Sequence, residues 1–477
     1  MMKGHDSNVQ IDTDKVQMKR EMGLVSATSV VIGSVIGAGI FITPKGVLQN
    51  TGSIGLCLLV WLLAGVSALG SALCYSELGT TIQKSGGGYT YIKKGLGNHM
   101  AFVYALQAVV RGPGSLVVML LTFAKYMVVI FPTCGRPLLL EKLIAVTALF
   151  SLVIINTYSS RLASRVTVIT TIGKTSALVV IIIGGIVSLC QGVTSELGTG
   201  FSGSSDDPTS IALALYSAIF ATGGGANLNS IVEEIRNPGK NLPRAAIFGI
   251  LLVIVVYILT NVSYLAVMTK SELLSADAVA FVFGERVLGS YATLIPLAVM
   301  VSTFGSANNN ILSGTRVTFS AARDGNLPDF FSYIHVHHLT PLGAMTVTTA
   351  VALIYIAPAE VGQLISFLGF VMAFFNGCIY FSLIRFRLQT MKDVKRIIKI
   401  PLVIPILMVL LNLYLFIAPL VIKPRLEYVY VATGLFGGSL VLYVHFIYRR
   451  WSLPGYDKFV TWFQLVFQVC PPAQFME

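Results

Sequence analysis

The stretch "YSAIFATGGGANLNSIVEEIRNP", residues 216–238, decides how the chain folds. It opens as an apolar helix, yet Gly223, Gly224 and Gly225 follow one another in its middle, with Asn227 and Asn229 close behind. Each glycine costs a helix about 1 kcal/mol relative to alanine, so three in succession mark a place where the helix opens. Helix packing through small residues needs them on one face, which consecutive glycines do not provide.

Composition names the solvent around that opening. Of 477 residues, 55% are hydrophobic and 11% charged, and the mean hydropathy is +0.78. A soluble domain of this length needs a far more charged surface, so the chain is expected to be an all-α polytopic membrane protein. Windows long enough to span a bilayer recur at 24–50, 54–78, 101–130, 138–158, 165–190, 209–235, 243–268, 287–316, 342–357, 361–385, 400–423 and 427–448, which predicts twelve transmembrane helices.

The net charge of +12 reflects topology. Lys and Arg fall in small clusters between apolar runs, with no basic stripe or interleaved aromatics, so nucleic acid is excluded as a partner. Clusters such as Lys93–Lys94, Arg236–Lys240–Arg244 and "RFRLQTMKDVKRIIK" (385–399) alternate with basic-poor loops, which puts both termini in the cytoplasm. The polar first 23 residues lack the apolar core of a signal peptide. The expected organisation is a cytoplasmic tail (1–23), a transport core of ten helices (24–385), two further helices (386–448) and a second cytoplasmic tail (449–477).

The first span carries its own glycine-rich interruption, "VVIGSVIGAGIFITPKG", with Gly33, Gly37 and Gly39. Gly33 and Gly37 also fit a GxxxG packing face. Breaks five spans apart are the mark of a 5+5 inverted repeat, with broken helices 1 and 6 meeting near the midplane around a small molecule. Backbone groups freed in lipid need partners. A free amino acid supplies them: its carboxylate suits amides around Gly37, Ala38, Gly39 and Ile40, and its ammonium suits carbonyls around Val35, Phe220, Ala221 and Gly223. Gly225 and Asn227 complete the expected substrate-binding set.

Beyond the breaks, "CYSELGTTIQKSGGGYTYI", "VEEIRNPGKNLPRA", "ILTNVSYLAVMT", "SADAVAFVFGERVLG" and "AARDGNLPDFFSYIHVHHLTP" follow in order. With these motifs the chain resembles the light chains of the heteromeric amino acid transporters, of the APC superfamily and LeuT-type fold, over roughly residues 18–472. The resemblance implies twelve spans, sodium-independent obligatory exchange of amino acids at the plasma membrane, and a disulfide-linked, single-pass glycoprotein heavy chain. It implies no cofactor.

Three residues weigh individually. Lys174 lies inside the fifth span, where an ionisable group is costly and therefore a functional candidate, although a lysine can also snorkel to headgroups. In the resembled family a lysine here takes the place of a sodium ion. Cys134 falls in a short external loop, in an oxidising compartment, which makes it the expected link to the heavy chain, with Cys190 its rival. The sole N-x-S/T sequon, at Asn261, is inside a span, so sugars belong to the partner. Arg111, two residues before Pro113, either faces the substrate's side chain or pairs structurally within the bundle.

The sequence departs from the family around the second break. Phe220 is kept, but Thr222, Gly225 and Ser230 stand where aromatic residues are usual, so the side-chain pocket, to which Arg111 and Thr222 are candidate contributors, loses rings of roughly 150–250 Å² each. A roomier pocket points to large neutral, aromatic L-amino acids. Arg111 and "TPKGVLQNTGS" favour cystine or anionic exchange instead, and Ala38 in place of the usual serine is compatible with a poorly active member. Enzymatic function is excluded by the absence of HExxH, GxSxG, P-loop and clustered His/Cys patterns, which also leaves no expected metal. Two dissimilar breaks in one chain do not make a channel filter.

Overall fold

Prolines and small capping residues cut the apolar chain into helices. The computed structural model describes residues 22–82, 87–131, 137–192, 197–224, 235–358, 360–422, 426–448 and 454–471. The first span is divided into α1 (Leu24–Val35), α2 (Gly39–Ile42) and α3 (Pro44–Thr51). Ser53 caps α4 (Ile54–Thr81) by accepting from the Leu56 amide at 3.3 Å. Next come α5 (Gly88–Leu96), α6 (Asn98–Ile130), α7 (Leu138–Tyr158) and α8 (Ser160–Cys190). Asp207 caps α9 (Pro208–Thr222), and α10 (Pro238–Val267) again starts on proline. A capping box of Thr269 and Glu272 starts α11 (Lys270–Ser275), followed by α12 (Val279–Leu288), α13 (Leu294–Arg323), α14 (Leu342–Ile356) and α15 (Val361–Arg385). Helices α16 (Val403–Val421), α17 (Leu426–Thr433), α18 (Ser439–Leu442) and α19 (Tyr456–Phe467) complete the order, π turns linking α17 to α18.

Among the described residues, nine helices are long and apolar enough to cross a membrane, while α9 and α14 are shorter apolar helices. One sequence reading shifts. The window 287–316 becomes α13 at Leu294–Arg323, because Gly289, at φ 52°, ends α12 and a 3-10 turn intervenes. Pro113 does not break its helix, since α6 is continuous from Asn98 to Ile130. Neighbouring helices in a membrane bundle tolerate proline in this way.

Helices α6 and α8 pack along α13, α1 and α4 pack along α10, and α9 runs between α3, α4 and α15. Segments far apart in sequence meet beyond the helix ends. Met22 pairs with Ile235, Lys93 binds Asp324 at 2.9 Å, and β1 (Ile334–His335) pairs antiparallel with β2 (Val469–Cys470). At the other ends of the helices, Lys45 reaches the Ala276 carbonyl at 2.9 Å, Lys270 reaches Gly52, and Arg286 pairs with Glu272.

Candidate functional site

The first span loses its helix at Ile36, whose ψ of 97° takes the backbone out of the helical region, and regains it at Gly39. Among the described residues, the amides of Ala38, Gly39 and Ile40 meet no backbone acceptor. They face the N-terminal, positive end of the helical run that continues into α3. The second break begins at Gly223, with φ −64° and ψ 146°, where α9 stops.

The two breaks touch through their backbones. A Cβ placed on Gly39 would stand 2.4 Å from the Cα of Ala221, and one on Gly224 would stand 2.6 Å from the Ser34 carbonyl oxygen. Gly224 also holds φ at 135°, a conformation L side chains rarely adopt. The Ser34 hydroxyl donates to the Gly224 carbonyl at 3.4 Å.

One side chain ties both breaks together. The hydroxyl of Tyr257, buried on α10, donates to the Val35 carbonyl at 3.0 Å and to the Ala221 carbonyl at 3.2 Å. Its ring is held edge-on against Trp61 at 5.7 Å. Sequence reasoning missed Tyr257, and the signal was slight: one polar tip in the run "LLVIVVYIL".

Lys174 does not snorkel. Its ammonium, 7% exposed and midway along α8, donates to the Gly33 carbonyl at 2.7 Å. A cation at the C-terminal end of the half-helix α1 meets the negative end of its dipole.

Residues 22–445 match the amino acid permease family. The chain belongs to that family. It is 39% identical to the human b(0,+)-type amino acid transporter 1, over 96% of this chain and 94% of that protein. It is 36% identical to the human cystine/glutamate transporter, over 94% of this chain and 87% of that protein. The rat large neutral amino acids transporter small subunit 2 is 41% identical, over 86% of this chain and 78% of that protein. A permease moves its substrate unchanged, so this chain is a transporter and not an enzyme.

In this permease Phe220 is half-buried and, like Ile42, packs on the cluster of Val118, Ile365 and Leu368, and it lines a cavity of about 20 Å³ with Tyr216, Asn376 and Asn412, room for about one water. Thr222 is buried, and its hydroxyl turns back to the Ala218 carbonyl at 3.1 Å. Arg111, on α6, is half-buried and within electrostatic reach of Tyr75 and Tyr104. Gly225, Asn227 and Cys134 lie outside the described residues. Asn261 is buried and bonded to the Tyr257 carbonyl at 2.8 Å, so its sequon sits within α10.

A second constellation went unforeseen. Buried Glu77, at the end of α4, accepts from Arg387 at 2.7 Å and from the Ile400 amide at 3.0 Å, and Arg396 stands 3.2 Å away. Two cations of the basic segment 385–399 are therefore fixed to the protein.

Proposed function

We propose that this chain is the transport subunit of a two-chain, sodium-independent exchanger of large neutral, preferentially aromatic, L-amino acids at the plasma membrane. Its frame is the twelve-helix, 5+5 inverted repeat with a ten-helix core (24–385), two added helices (386–448) and both tails (1–23, 449–477) in the cytoplasm. The single observation that carries the reading is the meeting of the two breaks, with amides at Ala38, Gly39 and Ile40 that meet no backbone acceptor among the described residues, beside carbonyls gathered by Tyr257. The amides take the carboxylate of the substrate, and the carbonyls of Val35, Phe220, Ala221 and Gly223 take its ammonium. Gly37, Gly225 and Asn227 belong to the same set.

Lys174 supplies a fixed cation at the end of α1 and removes the need for sodium. Cys134 links the chain to a single-pass glycoprotein heavy chain. The relative named as a small subunit, and the loss of aromatic residues at Thr222, Gly225 and Ser230, support the neutral, bulky substrate.

One observation favours a second reading, exchange of cystine or an anionic amino acid: the half-buried Arg111, whose charge is felt at the buried Tyr75 and Tyr104. Counterflow separates the readings. Vesicles preloaded with radiolabelled amino acid, carrying the chain with a coexpressed partner, release label only when an external substrate is added. Aromatic amino acids should compete best. Release driven best by cystine or glutamate, and lost in Arg111→Leu, would favour the second reading, and label leaking without external substrate would defeat both.

A further inference from the structure

Helix α19 carries more apolar surface than its packing against the protein uses. At 3.6 residues per turn its side chains sort into a protein-facing side, two flanks and an outer edge of Lys458 and Leu465, the latter 76% exposed. Tyr456, Val460, Phe463 and Phe467 share the first, where Phe463 is buried among Tyr333, Leu342 and Val469. On one flank lie Phe459, Trp462 and Val466; Trp462 and Val466 are each 54% exposed, and the rings of Phe459 and Trp462 are 6.1 Å apart. The opposite flank holds Asp457, Thr461 and Gln464.

The level of this helix is fixed by two attachments. Strand β2 follows it directly and pairs with β1, placing Cys470 opposite Ile334. Phe463 packs on Leu342, the first residue of the apolar α14. So α19 lies where an apolar helix of the bundle begins. A helix with one side on protein, one flank aromatic and apolar, and the other flank polar fits a boundary between bundle, lipid and water. A Trp and a Phe are what interfacial anchoring uses.

We propose that α19 lies in the plane of the lipid headgroups, with Phe459, Trp462 and Val466 sunk towards the acyl chains and Asp457, Thr461 and Gln464 in water. Lys458, next to Trp462 and Leu465 along the helix surface, reaches the lipid phosphates. The topology proposed above decides only which leaflet is used. Phe459, Trp462 and Val466 themselves carry no charge, the one cation beside them, Lys458, stands at their outer edge where phosphates would lie, and the bilayer is already held at this level by the spanning helices.

The test uses the full chain in lipid nanodiscs. The share of tryptophan emission lost in Trp462→Phe is attributed to Trp462, and quenching by lipids brominated near the glycerol end of the acyl chain is compared with quenching by aqueous iodide. Brominated lipid should remove roughly half of that share or more, as for a side chain about 5–10 Å deep, while iodide leaves most of it. The double variant Thr461→Trp with Trp462→Phe should reverse the pattern. Should Trp462→Phe fail to fold, Phe459→Trp in the native background should add emission that brominated lipid quenches. Quenching of Trp462 by iodide would overturn the proposal. So would protection from both quenchers, which would mean that a second copy or another protein covers the flank. Neither result would touch the transport reading, which counterflow tests separately.

Discussion

A single added methyl group at Gly39 tests whether the two breaks form the site. Its Cβ would stand 2.4 Å from the Cα of Ala221 and 2.9 Å from its Cβ, whereas ordinary contact begins at 3.4 Å. The obstacle is backbone, so the half-helices have to part by about 1 Å. Tyr257 holds Val35 and Ala221 at 3.0 and 3.2 Å through one hydroxyl, and a parting of that size breaks one of the two bonds. A lost hydrogen bond costs about 1 kcal/mol and overpacking about 1–3 kcal/mol. Misplacing a positioning group by about 1 Å costs about 100-fold in rate. Gly39→Ala should therefore reduce counterflow per transporter at the surface by about 100-fold. Gly362→Ala, on α15 and outside the proposed binding set, is the control, because its Cβ would meet nothing within 4 Å. The assay is exchange of radiolabelled amino acid, normalised to surface-biotinylated protein. Gly39→Ala working at the native rate would refute the assignment of substrate to the meeting point.

The other predictions follow from the same geometry. Gly224→Ala should lose exchange, since φ is 135° and the Ser34 oxygen would be at 2.6 Å; Gly223→Ala, with its nearest atom at 3.3 Å, should keep most of it, which counterflow of both variants checks. Tyr257→Phe leaves two carbonyls without their shared donor and should lower uptake efficiency about 5–30-fold, corresponding to about 1–2 kcal/mol, measured as Vmax/KM at equal surface amount. Replacing sodium by choline should leave native exchange unchanged, whereas Lys174→Met, which loses a 2.7 Å charged hydrogen bond, should lower it about tenfold or more. Cys134→Ser should abolish a high-mass band that reducing agent also removes; persistence of the band would move the link to Cys190 or another thiol.

How much of this was legible depends on the physical signal. Apolar runs bounded by proline and glycine located the helices, because length and hydropathy dominate in a membrane. The glycines at 39 and 224 were legible for a similar reason: only a missing side chain permits the approach of Gly39 to Ala221 and the positive φ of Gly224. Lys174 stood out as a charge in an apolar run, although its partner, the Gly33 carbonyl, has no signature in sequence. Tyr257 and Glu77 were not legible. Tyrosine is common in helices that span membranes, and Glu77 finds Arg387 and Arg396 only after α4 and the segment following α15 come together. The start of α13 was misplaced because hydropathy does not see the left-handed Gly289.

The polarity of the first break bears on which end of a substrate is held more firmly. Its carbonyl end is already engaged, Gly33 by the Lys174 ammonium and Val35 by the Tyr257 hydroxyl. Its amide end is open, since Ala38, Gly39 and Ile40 meet no backbone acceptor among the described residues. On the proposed reading, the substrate carboxylate is therefore offered donors that lack competitors, while the ammonium shares carbonyls with Tyr257 through their second lone pairs. A carboxylate bound by unpaired amides in a low-dielectric site gains more than an ammonium bound by shared oxygens. Esters and amides of a good substrate should then lose more affinity than its N-methylated derivative, so the break selects first for the acid and only second for the amine.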